Sequence, residues 1–151
     1  MTLEHGHTLI VGARTDLAVT VSADGVHLPE HGVSVTSVLR SFPTLAVSRS
    51  CHDRQGLQRA QEEGASWATL SPFRAPRSKP SARAPLGEGE FQRRTAGLKL
   101  PVVALGGLDV TDVSACKRAG AVGLAVSGAL FESTTPEGLL ERFLMAWREA
   151  L

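Results

Sequence analysis

Apolar residues fall into short continuous runs separated by stretches in which they recur at helical spacing, and this alternation persists from end to end. Residues 8–11 form a strand-type run that stops at Gly12, and residues 16–22 carry Leu17, Ala18 and Val21 at helical spacing. Residues 23–28 read as a turn and a second strand, stopped by Pro29. Residues 33–40 predict a helix with Val35, Val38 and Leu39 inward, closed by Pro43, and residues 45–48 a third strand. Asp53 is placed to cap a helix that runs to Glu63 and ends at Gly64. A fourth strand covers residues 66–71.

Residues 72–85 break the rhythm, with four prolines and the cations Arg74, Arg77, Lys79 and Arg83, and no acid among them. A loop of this length in a compact domain is usually functional or disordered. A helix follows from Gly87 or Glu88 to Ala96, then a fifth strand over 102–105. Asp109 is placed to cap the next helix with Asp112 as a supporting acid, Gly120 ends it, and residues 122–126 form a sixth strand. The last helix is predicted from Thr135 as N-cap and Pro136 as its first residue, with Leu139, Leu140, Phe143, Leu144 and Trp147 along one face.

Strand and helix thus alternate, at roughly 20 to 30 residues per unit, which predicts a parallel α/β fold. Short apolar strands imply a sheet covered on both faces. A doubly wound sheet and a barrel both fit, although no GxGxxG follows the first strand. In either architecture functional residues belong at the carboxyl ends of strands.

Composition narrows the class without naming a function. The chain has 151 residues, 42% hydrophobic and 21% charged, enough for one domain with one core. A net charge of +1 argues against a general nucleic-acid surface. No apolar run approaches the roughly 20 residues of a membrane helix. The amino terminus lacks a basic start followed by an apolar stretch, and Cys51 and Cys116 have no metal spacing; both features fit a reduced cytoplasm.

Candidate chemistry concentrates at two predicted strand ends. Gly106-Gly107 has no side chain to keep a ligand away, and its N–H groups and those of the next helix start are anion donors. Ser127-Gly128 repeats the arrangement and adds a hydroxyl. Together they favour a phosphate, as at the last two loops of many barrels; the plainer reading is that the glycines only make tight turns. Lys79 can reach a phosphate or pyrophosphate as a flexible point charge, or belong to a solvated surface loop. His52 can shuttle protons at a strand end, or cap or pack. His27 and His31 are four apart, but Pro29 breaks any helix between them, which argues against a metal pair. Cys51 would need a nearby base to act as a nucleophile.

The order of these pieces resembles the family of thiamine phosphate synthase and its relative TenI, the thiazole tautomerase. The matching stretches are Ile10-Val11 with Asp16-Leu-Ala18, Ala23-Asp-Gly-Val-His-Leu28, Ser50-Cys-His52, Gly64-Ala65, Ser71-Pro72, Ser78-Lys79, Pro85-Leu-Gly87, Pro101-Val-Val-Ala-Leu-Gly-Gly107, Ala119-Gly-Ala121 and Ala125-Val-Ser127. They cover nearly the whole chain. The resemblance implies a (βα)8 TIM-barrel ancestry, with this chain matching the third to eighth units as a single incomplete barrel domain. It implies a synthase that joins an aminopyrimidine pyrophosphate to a thiazole phosphate with Mg²⁺ assisting departure. By position, Gly107, Val126 and Ser127 would hold the thiazole phosphate, with Gly106 in the same turn. Pro76 to Ser78 would line the thiazole, Lys79 would face the pyrophosphate, and Ser50 would lie near the pyrimidine.

Departures from the pattern shape the expectation. The synthase's Asn-Asp after its third strand corresponds to Gly12-Ala13, and a second metal-binding acid corresponds to Gly32, so Mg²⁺ has no protein ligand in view. No other cofactor is evident. The pyrophosphate-gripping motif belongs to the absent second strand. Leu28-Pro29 and Arg49-Ser50 look more like TenI, yet TenI's proton-shuttling histidine is Pro72 here, which leaves His52 as a substitute. The expectation is a thiamine-biosynthesis protein that keeps a site for a phosphorylated thiazole or thiamine phosphate. Alone, it would be weak or inactive as transferase or tautomerase. The alternative is a non-catalytic phosphate-ligand binder or regulatory subunit. Open sheet edges imply a homo-oligomer or a partner chain that completes the barrel.

Overall fold

The computed structural model describes residues 6–75 and 83–150. Its elements alternate as the periodicity predicts, and Cα packing divides the chain into two units: Met1–Ala68 with Leu98–Leu100, and Thr69–Gly97 with Pro101–Leu151. The six strands neighbour one another in chain order, without the reversal of a doubly wound sheet.

The first unit contains β1 (Ile10–Gly12), α1 (Thr15–Thr20), β2 (Gly25–Leu28), α2 (Val35–Ser41), β3 (Ala46–Cys51), α3 (Arg54–Glu62) and the start of β4 (Trp67–Leu70). β1, β2 and β3 pair in parallel, with Val26 opposite Val47 and His27 opposite Ser48. Successive strand residues face opposite ways. Val26, Leu28 and Val47 therefore share one face, where they bury against Ala18 of α1 and Val35 and Val38 of α2. Their full burial is worth about 1.5–3 kcal/mol per side chain. Leu39 packs against the same cluster, as its helical spacing predicts.

Caps fix where the helices begin. Ser34 accepts from Ser37 N ahead of α2, and Asp53 accepts from Gly56 N ahead of α3. Gln61 on α3 accepts from the N–H groups of Lys99 and Leu100, which ties residues 98–100 to this unit.

β3 corrects the expected strand over 45–48: it runs on through Arg49, Ser50 and Cys51. A charged residue inside a strand is tolerated here because Arg49 finds partners. Its guanidinium donates to the carbonyls of Pro29, Glu30 and Val33 and lies 3.5 Å from Glu63. Arg49 is 5% exposed, and its Nε alone lacks a partner.

The second unit contains the end of β4, α4 (Gly87–Thr95), β5 (Val102–Leu105), a 3-10 turn (Val110–Asp112), α5 (Val113–Arg118), β6 (Gly123–Ala125), α6 (Gly128–Phe131) and α7 (Pro136–Glu149). β5 and β6 pair in parallel, with Leu105 opposite Ala125. Phe73 packs edge-on against Phe91 of α4, both fully buried. Asp109 and Asp112 form a reciprocal capping box, so the helix predicted after Asp109 begins as a 3-10 turn.

Two further expectations are revised here. Thr135 occupies the N-cap position of α7, but its side chain makes no capping bond. The predicted apolar face of α7 is buried only at Phe143, while Leu140 and Leu144 are 44% and 48% exposed. The four-residue helix α6 was not anticipated, because residues 128–131 are too few to show a period. No described helix is long and apolar enough to cross a membrane.

Candidate functional site

The glycine pair sits where the sequence puts it, after β5, with both residues at positive φ, 104° for Gly106 and 62° for Gly107. What approaches it is the chain itself. Residues 72–74 run alongside the end of β5, with Phe73 N donating to Leu105 O and Arg74 N to Gly106 O. A Cβ on Gly106 would lie 2.9 Å from Pro72 Cα, and one on Gly107 would lie 2.3 Å from Ala75 O. The close approach expected of a ligand is thus made by the segment after β4. Phe73 and Arg74 belong to the turn for that reason. Arg74 is anchored to Asp112 at 2.8 Å and lies over the Phe73 ring.

Pairing of Leu105 with Ala125 sets the residues that follow them, Gly106-Gly107 and Val126-Ser127, at neighbouring strand ends. Leu105 is the last residue of β5, and Ser127 stands before α6. The Ser127 hydroxyl does not cap α6, and Ser127 is exposed. The first N–H groups of any helix lack intrahelical acceptors, so this strand end offers backbone donors and a hydroxyl together. Ser78 and Lys79, which the sequence adds to the site, lie outside the described residues.

The first unit carries a separate polar group. His27 is half-buried on β2, with Nδ1 2.8 Å from Ser48 Oγ and Nε2 2.8 Å from Ser50 Oγ. Its ring stacks on Trp67 at 5.3 Å. Burial lowers the pKa of His27 below its ordinary value. Sequence reasoning places His27 near the end of a predicted strand and argues against it as half of a metal pair, without connecting it to Ser48 and Ser50. The signal that would have found it is period two: His27 alternates with apolar Val26 and Leu28, and Ser48 and Ser50 alternate likewise one strand over.

His52 follows β3 and sits beside Glu30, with Nε2 3.9 Å from Glu30 Oε2. His31 is 3.3 Å from the same oxygen. Cys51 is buried, and burial pushes its thiol up to about 12; Cys116 is pushed up to about 12 for the same reason. Neither thiol is poised as a nucleophile. At the place where the resemblance puts Mg²⁺, Gly12 and Ala13 offer no side-chain oxygen. Asp16 gives both carboxylate oxygens to Arg14, which holds its pKa at about 2. Among the described residues no three His, Cys, Asp or Glu side chains gather as a metal set. The donors present do not fit a hard cation there.

The family model described as thiamine monophosphate synthase matches residues 1–130. The chain belongs to that family. It is 35% identical over 125 residues to a putative thiamine-phosphate synthase 2 of Aquifex aeolicus, covering 83% of this chain and 67% of that protein. It is 33% identical over 147 residues to a thiamine-phosphate synthase of Prochlorococcus marinus, covering 96% of this chain but 41% of that protein. Thiamine phosphate pyrophosphorylase from Pyrococcus furiosus superposes with a TM-score of 0.88 at 23% identity, covering 99% of this chain and 72% of the other. That likeness shows the fold, a TIM-barrel-like α/β arrangement. The chain therefore spans between about two fifths and two thirds of the length of these two sequence relatives.

Proposed function

We propose that this thiamine monophosphate synthase-family chain binds a phosphorylated thiazole, as thiazole phosphate or thiamine phosphate, at the strand ends Gly106-Gly107 and Val126-Ser127. The observation that carries the proposal is the β5–β6 register, which sets both turns side by side with an uncapping serine hydroxyl at one of them. Backbone donors fixed before the ligand arrives need no reorganisation to meet phosphate charge. By the same family reading the chain represents the third to eighth units of a barrel, and Ser78 lines the thiazole. Lys79 stabilises charge on a departing pyrophosphate, Ser50 faces the pyrimidine and His52 moves protons.

The metal half of that scheme finds no support in Gly12, Ala13 and Asp16, so the chain alone is weak or inactive as a synthase. The second reading, a non-catalytic binder or regulatory subunit on the same scaffold, is favoured by the same three residues. One experiment separates the two: product formation from both thiamine precursors with Mg²⁺, run beside calorimetry with thiazole phosphate and thiamine phosphate. Binding without turnover supports the binder, turnover supports the enzyme, and absence of both contradicts the site. Self-association, or a partner chain that supplies further βα units, would cover the edge strands and is read by sedimentation.

A further inference from the structure

Two adjacent glycines at positive φ keep more conformational freedom than any other pair, and Gly106-Gly107 is such a pair. Backbone donors meet a charged ligand at full strength only when they are already fixed. Arg74 reaches this turn at both ends. Its N–H donates to Gly106 O at 2.9 Å, and its Nε–H donates to Asp112 Oδ1 at 2.8 Å. Asp112 carries the hold back to the turn, since its Oδ2 accepts from Asp109 N at 3.0 Å. The capping box uses only that second oxygen, which leaves the first for the guanidinium. The Phe73 ring, fully buried, lies 5.5 Å from the guanidinium and steadies it. Between the two attachments, the N–H groups of Gly107 and Leu108 have no acceptor among the described residues.

The geometry points to Arg74 as a positioning residue for an anion: it grips the chain on both sides of Gly107, at Gly106 O and through Asp112, and holds the N–H groups of Gly107 and Leu108 ready for a phosphate. This deepens the phosphate reading above and rests on it. Arg74 acts through the turn, because Asp112 offsets the charge of its guanidinium. Global stability is not what the pair supplies, since Arg74 is half-exposed and an ion pair partly in water adds little. Asp112 separates this role from plain charge. Removing a carboxylate favours an anion by charge alone. Here the same change releases one end of the turn and weakens binding.

The test has two arms on the full chain. In the first, amide relaxation without ligand reads the order of Gly106 and Gly107. Order parameters near the rigid value of about 0.85 are expected in the unaltered chain, falling below about 0.6 in Arg74→Met and in Asp112→Asn. The urea midpoint should stay in place in both variants. A turn that remains rigid in both variants overturns the anchoring. In the second arm, calorimetry with thiazole phosphate should show about tenfold weaker binding in each variant, with Arg74→Lys restoring it to within about threefold. The double variant should lose no more than either single one, because the two residues act as a unit. Unchanged binding in both single variants, or tighter binding in Asp112→Asn, overturns the positioning role. Absent binding by the unaltered chain contradicts the phosphate site itself, while relaxation still decides the anchoring, so the two failures are distinct.

Discussion

At the residue scale, three buried groups predict how stability responds to pH. His27 is held neutral by burial, so its folded pKa lies below the ordinary 6.5. A lowered pKa contributes stability above the unfolded value, and that stability is lost as pH falls through the folded one. Cys51 and Cys116 act on the other side: their folded pKa is raised to about 12 from 9.0, so their contribution is complete below 9.0 and lost as pH rises toward about 12. Urea midpoints should form a plateau between those limits, with His27→Gln flattening the acid slope and Cys116→Ala the alkaline one. Arg49 is the other residue on which local order depends. Replacing it with Met leaves the carbonyls of Pro29, Glu30 and Val33 without their donor and should cost about 2 kcal/mol by urea denaturation. Ala13 carries φ 61°, which a residue with a Cβ adopts only under strain. Ala13→Gly should therefore gain about 0.5–1 kcal/mol in the same measurement. Buried partners of this kind are invisible in sequence. Arg49 reads there as a loop cation because nothing local announces the three carbonyls that accept from it.

At the scale of elements, strands and helix caps were legible wherever a local signal fixes them. β5 matches its predicted bounds, and Asp53, Asp109 and Gly64 do what their positions imply. The misses come from tertiary effects. β3 outruns its apolar run because Arg49 is satisfied from a distant loop, and α7 leaves Leu140 and Leu144 exposed because its period does not say how much of the face finds a neighbour. The candidate site divides the same way. Gly106-Gly107 was readable as a turn needing close approach, but the approaching group, the backbone of Arg74 and Ala75, is set by pairing with β5. A Cβ at position 107 must push that segment away, so Gly107→Ala should destabilise by roughly 2–3 kcal/mol, read by thermal denaturation.

For the molecule as a whole, membership of the thiamine monophosphate synthase family is shown by a match to residues 1–130, whereas the proposed function rests on a proposed site whose parts differ in support. The phosphate half has the β5–β6 register behind it; the metal half lacks carboxylates at Gly12 and Ala13. The proposed self-association would cover apolar side chains of the last two helices, among them Phe131 at 89% and Met145 at 57% exposure. Sedimentation should show association that weakens in Phe131→Lys, while that variant keeps its urea midpoint within about 0.5 kcal/mol. The most direct test of the central claim is calorimetric titration of the full chain with thiazole phosphate, alone and in Ser127→Ala. Saturable binding that weakens about tenfold in the variant is the expected result. No binding by the unaltered chain, or equal binding by both, would contradict the phosphate site at the ends of β5 and β6.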